Sequence, residues 1–105
     1  MNIPPVFKTA PESTEITEGD DLDLQCLVTG KPLPNIVWYK NNKDMSQLKN
    51  VNVESSETPE NYETGSELTV KNVDKDIHTG RYTIEATNSV GTAKHELVVT
   101  GMYMK

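Results

Sequence analysis

With 105 residues, a formal net charge of −6 and 34% apolar residues, the chain is long enough to bury one domain core. It is too acidic for a surface that grips nucleic acid or anionic membrane, which needs a basic face. No run approaches the ~20 apolar residues of a membrane-spanning helix, and the opening MNIPPVFKTAPE lacks the apolar centre of a secretory leader.

The hydrophobic period along the chain is two, the mark of strands with one face in a core and the other in water. Residues 1–5 read as linker and residues 6–100 as the domain. The turn EGDD at 18–21 precedes a first clear alternation at Leu22, Leu24, Cys26 and Val28. GKPLP at 30–34 makes a stiff loop, because proline fixes φ and removes a donor. Ile36 and Trp38 alternate next, and the pair Asn41-Asn42 suits a tight hairpin, since Asn tolerates positive φ. Val51 and Val53 alternate, then Leu68 and Val70. Residues 73–79 have room for one short helical turn. Tyr82, Ile84 and Ala86 alternate in RYTIEATN, the turn NSVG follows, and Leu97 and Val99 close the series before a second linker at 101–105. Seven or eight short strands at this spacing predict an all-β chain folded as a sandwich of two antiparallel sheets.

Cys26 is the sole cysteine, so no intradomain disulfide forms. No Asn is followed two residues later by Ser or Thr, so there is no N-glycosylation acceptor. Small oxidised secreted domains carry cysteines in pairs. Both features point to a reducing, cytoplasmic setting.

Chemistry-bearing residues are few. Cys26 lies mid-strand on the inner face with no basic sequence neighbour to stabilise a thiolate, which reads as core rather than as a nucleophile or redox sensor. His78 and His95 fall on a loop and on the last strand without a third ligand at a metal-binding spacing, so they read as solvated surface groups. Nothing matches a nucleophile elbow or a phosphate loop. The expectation is therefore a non-enzyme without cofactor or metal. Three surface features remain, two of them acidic. The run PESTEITEGDDLD holds Glu12, Glu15, Glu18, Asp20, Asp21 and Asp23, and a second acidic string holds Glu54, Glu57, Glu60 and Glu63. Each serves either as a docking face for a basic partner or as a charged edge that discourages strand pairing, and the second reading is favoured. Tyr39 and Lys40, with Asn41 and Lys43, form a candidate contact patch at the hairpin.

Several motifs together carry a resemblance. GKPLPNIVWYK resembles the G-x-P-x-P-x-x-x-W-x-K stretch, and GRYTIEATNSVGTA the G-x-Y-x-C-x-A-x-N-x-x-G-x-A stretch, of immunoglobulin domains of the intermediate, or I-set, type. PPVF and EGDDLDLQC resemble I-set domains of giant intracellular proteins of the titin, twitchin, obscurin and palladin kind. The resemblance covers residues 4–100. It implies a core built on Cys26, Trp38, Leu68, Tyr82 and Ile84. Trp38 would lie between the sheets, and Tyr82 would form a tyrosine corner that bonds back to nearby backbone. Ile84 stands where the family's second cysteine falls, and His78 where its motif carries aspartate. It further implies that residues 6–17 pair into both sheets, including the last strand. The function implied is a non-catalytic, load-bearing spacer or docking module in a tandem array of a muscle or cytoskeletal protein. Its partners would be neighbouring immunoglobulin-like or fibronectin-like domains and filament proteins, with neither nucleic acid nor membrane among them. The alternative is an extracellular adhesion or receptor domain that has lost its disulfide.

Overall fold

The computed structural model describes residues 1–102. The strands are β1 (Ile3–Thr9), β2 (Thr14–Thr17), β3 (Leu22–Lys31), β4 (Asn35–Lys40), β5 (Lys43–Asp44), β6 (Val51–Thr58), β7 (Glu63–Val70), β8 (Gly80–Thr87) and β9 (Thr92–Met102), with a single helical turn α1 (Lys75–His78) between β7 and β8. They form two sheets, ordered β1-β3-β7-β6 and β2-β9-β8-β4-β5. The alternation read from sequence is what buries them: along β3 and β7 every second side chain faces the core. The core joins Leu22, Leu24, Cys26 and Val28 of one sheet to Ile36, Trp38, Tyr82, Ile84 and Leu97 of the other.

The first two strands belong to different sheets. β1 pairs antiparallel with β3, and β2 pairs parallel with β9 from Thr14↔Val99 to Thr17↔Met102. The step between them is pinned by His95, whose Nε2 lies 2.8 Å from the Pro11 carbonyl oxygen, and whose ring packs against Phe7. His95 is therefore half-buried and engaged, not the solvated group expected. The boundaries also differ from expectation. Ile3, Pro4 and Pro5 open β1, and Gly101 and Met102 close β9. These residues, read as linker, are strand because a paired partner lies opposite (Ile3↔Lys31, Thr17↔Met102). Residues 103–105 lie outside the described residues.

Turn chemistry follows the local signals. Asn41 and Asn42 adopt φ of 50° and 70° between the paired Lys40 and Lys43, the left-handed pair that a two-residue hairpin demands. Gly80, at φ 136°, takes a conformation closed to side chains. Asn88 holds the opposite end of the molecule together. Its Oδ1 accepts from the Val90 and Gly91 amides, and its Nδ2 donates to the carbonyls of Ile3 and Pro32.

Trp38 is 1% exposed at the middle of this core. Truncating a buried aromatic costs about 3–5 kcal/mol, against a total stability of about 5–10 kcal/mol for a domain of this size. Trp38→Ala is expected to leave the domain unfolded or barely folded at room temperature. A cooperative urea transition with the wild-type midpoint would remove Trp38 from its central place.

Candidate functional site

The residues expected to matter most lie in one internal cluster. Cys26 is opposite Ser66 in the β3–β7 ladder, and Trp38 is opposite Ile84 in the β4–β8 ladder. Across the core, Trp38 Nε1 donates to Ser66 Oγ at 2.8 Å. One hydrogen bond thus joins the two sheets, beside the position where a disulfide would otherwise do so. Alternation with Leu68 and Val70 places Ser66 on the inner face of β7, but its partnership with Trp38 is set by the facing sheet and was not legible beforehand. Ile84 is fully buried and Cys26 is 4% exposed. Burial pushes the Cys26 thiol up to about 11, so at neutral pH it is a protonated, apolar packing group rather than a nucleophile. Leu68 is likewise fully buried.

Tyr82 donates its hydroxyl hydrogen to the His78 carbonyl oxygen, four residues back, which is the geometry of a tyrosine corner. Burial pushes the Tyr82 phenol up to about 12. His78 corrects an expectation. Read as a solvated surface histidine, it is 1% exposed. Its Nδ1 accepts from the Asp74 amide at 2.9 Å, and its Nε2 lies 3.0 Å from the Lys49 carbonyl oxygen. An acceptor on Nδ1 leaves the hydrogen on Nε2, so the neutral ring ties the β7–β8 connection to the loop before β6. A signal was present: His78 occupies the motif's aspartate position, four residues before the corner tyrosine. Both histidines are thus committed to backbone on separate elements, which suits structural rather than metal-binding roles.

The expected surface residues are dispersed. Glu12 lies in the step between β1 and β2, Glu15 on β2, and Glu18, Asp20 and Asp21 around the turn into β3. Two of these serve the fold. Glu18 Oε1 accepts from the Lys75 amide at 2.9 Å, and Asp21 accepts from the Asn72 amide while pairing with Lys71 at 3.2 Å. The Asn72 amide, then Lys71, hold the Asp21 carboxyl below its ordinary range. Tyr39 and Lys40 lie on β4 beside β5, at the edge of the sheet opposite β2, so the structure does not bring them together with the acidic run. As successive strand residues they point to opposite faces.

This architecture has relatives. The model of the immunoglobulin I-set domain matches residues 5–100. The chain is 36% identical over 92 residues to the muscle M-line assembly protein unc-89 of Caenorhabditis elegans, covering 86% of this chain and 1% of that protein. It is 31% identical over 105 residues to the limbic system-associated membrane protein of Mus musculus, covering 100% of this chain and 28% of that protein. Among solved structures, the titin M3 domain superposes with a TM-score of 0.81 at 23% identity, covering 96% of this chain and 99% of that one. The three-domain titin structure I67–I69 does so at 0.81 and 28% identity, covering 94% of this chain and 32% of that one. The chain belongs to the immunoglobulin I-set family, whose domains are non-catalytic. It spans only a small part of the two curated relatives, 1% of unc-89 and 28% of the limbic system-associated membrane protein.

Two measurements check the internal cluster. Cys26 should react with a thiol reagent only as fast as the domain unfolds, and prompt labelling of folded protein would place the thiol at the surface. Ile84→Cys should form a disulfide with Cys26 under mild oxidation. Closing so long a loop contributes roughly 4 kcal/mol of chain entropy, offset by lost isoleucine packing. Two free thiols in the mass spectrum after exhaustive oxidation would mean that residues 26 and 84 do not face one another.

Proposed function

We propose that this I-set domain is a load-bearing spacer in a tandem array of a large intracellular muscle or cytoskeletal protein, held between neighbouring immunoglobulin-like or fibronectin-like domains and offering surfaces to filament proteins. The observation that carries the reading is the parallel pairing of β2 with β9. Force applied to the two ends of the chain acts along both strands in opposite senses, so their hydrogen bonds are loaded together in shear rather than opened one at a time. The start of β1 and the end of β9 lie toward opposite poles of a body 55 Å long, which suits head-to-tail linkage. The buried Ile84 beside an unpaired Cys26 supports a setting where a disulfide is not available. The likeness to unc-89 and to a three-domain run of titin accords with a tandem muscle protein.

A second reading has its own support. The likeness to the limbic system-associated membrane protein extends along the whole chain, which favours an extracellular adhesion domain. Labelling of the parent protein separates the two: staining only after permeabilisation supports the first, and staining of intact cells the second. The mechanical role has a direct test. Pulled through its ends, the domain should unfold at a clearly higher force than when pulled through Arg81→Cys and Val98→Cys. Those positions are a register pair near the open end of the β8–β9 hairpin, where bonds part in sequence. Equal forces in the two geometries would remove the spacer role and leave a docking module.

A further inference from the structure

Each sheet edge can be asked whether it would accept another strand. β1 carries Pro4 and Pro5 and two register shifts against β3, devices that spoil an edge. β2 is four residues long. β5 covers the end of β4, leaving only Asn35–Trp38 open behind Pro34. β6 differs. Its eight residues pair with β7 without a break from Val51↔Val70 to Thr58↔Glu63 and include no proline. Among the described residues its other side has no neighbouring strand, so every second residue directs its amide and carbonyl outward.

We propose that this edge of β6 is a docking site for an extended basic segment of a partner protein, which adds as a fifth strand to the four-stranded sheet. The charge of the edge chooses the occupant. Glu54 and Glu67 stand directly opposite one another on the outer face, an arrangement that repels in a ladder. The N–H donors that reach them are the neutral amides of Asn52 and Gln25 rather than cations. A hydrogen bond with Asp23, then the charges of Asp23 and Glu54, push the Glu67 carboxyl upward from its ordinary value. Glu57 lies exposed three residues beyond Glu54, on the other face of the strand. Beside this row Gly65 leaves no side chain between Leu27 and Ser56, and a shallow groove of about 420 Å³ opens there. Strands in a sheet lie about 4.8 Å apart, within reach of a lysine stem. A lysine opposite Glu54 would therefore set its ammonium between Glu54 and Glu67, with its stem along the groove. The matching segment carries Lys or Arg at two positions three apart, one for each face. A second copy of this chain is a poor occupant, because β6 against β6 would set these carboxylates against each other.

The test is an NMR titration of the isotope-labelled domain with an end-capped eight-residue Thr/Val peptide bearing two lysines three apart. Shifts should concentrate on the amides of 51–58. The variant E54Q/E57Q should keep its fold and bind about twofold to tenfold more weakly, the loss of one or two cross-strand charge pairs. Two further peptides, N-methylated on alternate residues in the two possible registers, should part company: one binds and the other does not. Several results would overturn the proposal: shifts centred elsewhere or none at all, an unaffected E54Q/E57Q variant, equal binding by both methylated peptides, or β6 shifts on concentrating the protein alone. Equal methylated binding would mean loose charge attraction, and concentration-dependent shifts would mean self-pairing.

Discussion

The hydrogen bond from Trp38 to Ser66 is the constraint around which the sandwich is organised. A buried indole N–H without an acceptor costs about 1–3 kcal/mol, and here the acceptor belongs to the opposite sheet. The bond therefore sets how the sheets face one another as well as their separation. The ladders then follow: Ile84 flanks the tryptophan within its own sheet, and Cys26 flanks the serine within the other. A directional contact remains between the sheets where no covalent one exists, and Ile84 fills space with apolar volume worth about 1.5–3 kcal/mol when fully buried.

The pole that carries α1 is held in the same manner, by side chains bonded to backbone. Tyr82 reaches the His78 carbonyl, the His78 ring reaches Asp74 and Lys49, and Glu18 and Asp21 reach the amides of Lys75 and Asn72. A reciprocal backbone pair, Gly19 to Val73 and Val73 to Asp20, closes the turn between β2 and β3 against the β7–β8 connection. These contacts satisfy backbone groups in the connections at this pole, where Val73 and Met45 add apolar anchors. The far end of β2, where the parallel clamp terminates, is thereby fastened to the body of the domain.

What was legible in the sequence was whatever depends on neighbours within a few residues. Period-two alternation marked β3, β4, β6, β7, β8 and β9. Asn41-Asn42 marked its hairpin, and Tyr82 with Trp38 marked the family. Contacts chosen by the opposite sheet were not legible. That Ser66 accepts from Trp38, and that the His78 ring meets the Lys49 carbonyl, depends on elements distant in sequence. The strand limits failed for the same reason. Ile3–Pro5 carry no alternation of their own and are strand because Lys31 lies beside Ile3. The acidic run misled in another way, since contiguity in sequence did not become a face: Glu18 and Asp21 are spent on capping amides, and Glu12 and Glu15 lie on the step and the edge strand.

The two proposed roles use different parts of the sandwich, and the topology explains how they coexist. The parallel clamp of β2 on β9 belongs to the five-stranded sheet, while β6 is the outermost strand of the other. Between β6 and the ends of the chain stand β7, β3 and the core. A strand added at β6 would extend the four-stranded sheet sideways and cover neither pole, so neighbours could remain linked at both ends. It would also leave the sheared bonds untouched, because β6 shares no ladder with β2 or β9. Prolines and irregular register protect β1, the edge nearest the entering chain, where added pairing would interfere with linkage. The edge left regular and proline-free is the one on which an added strand would stay clear of the line of force.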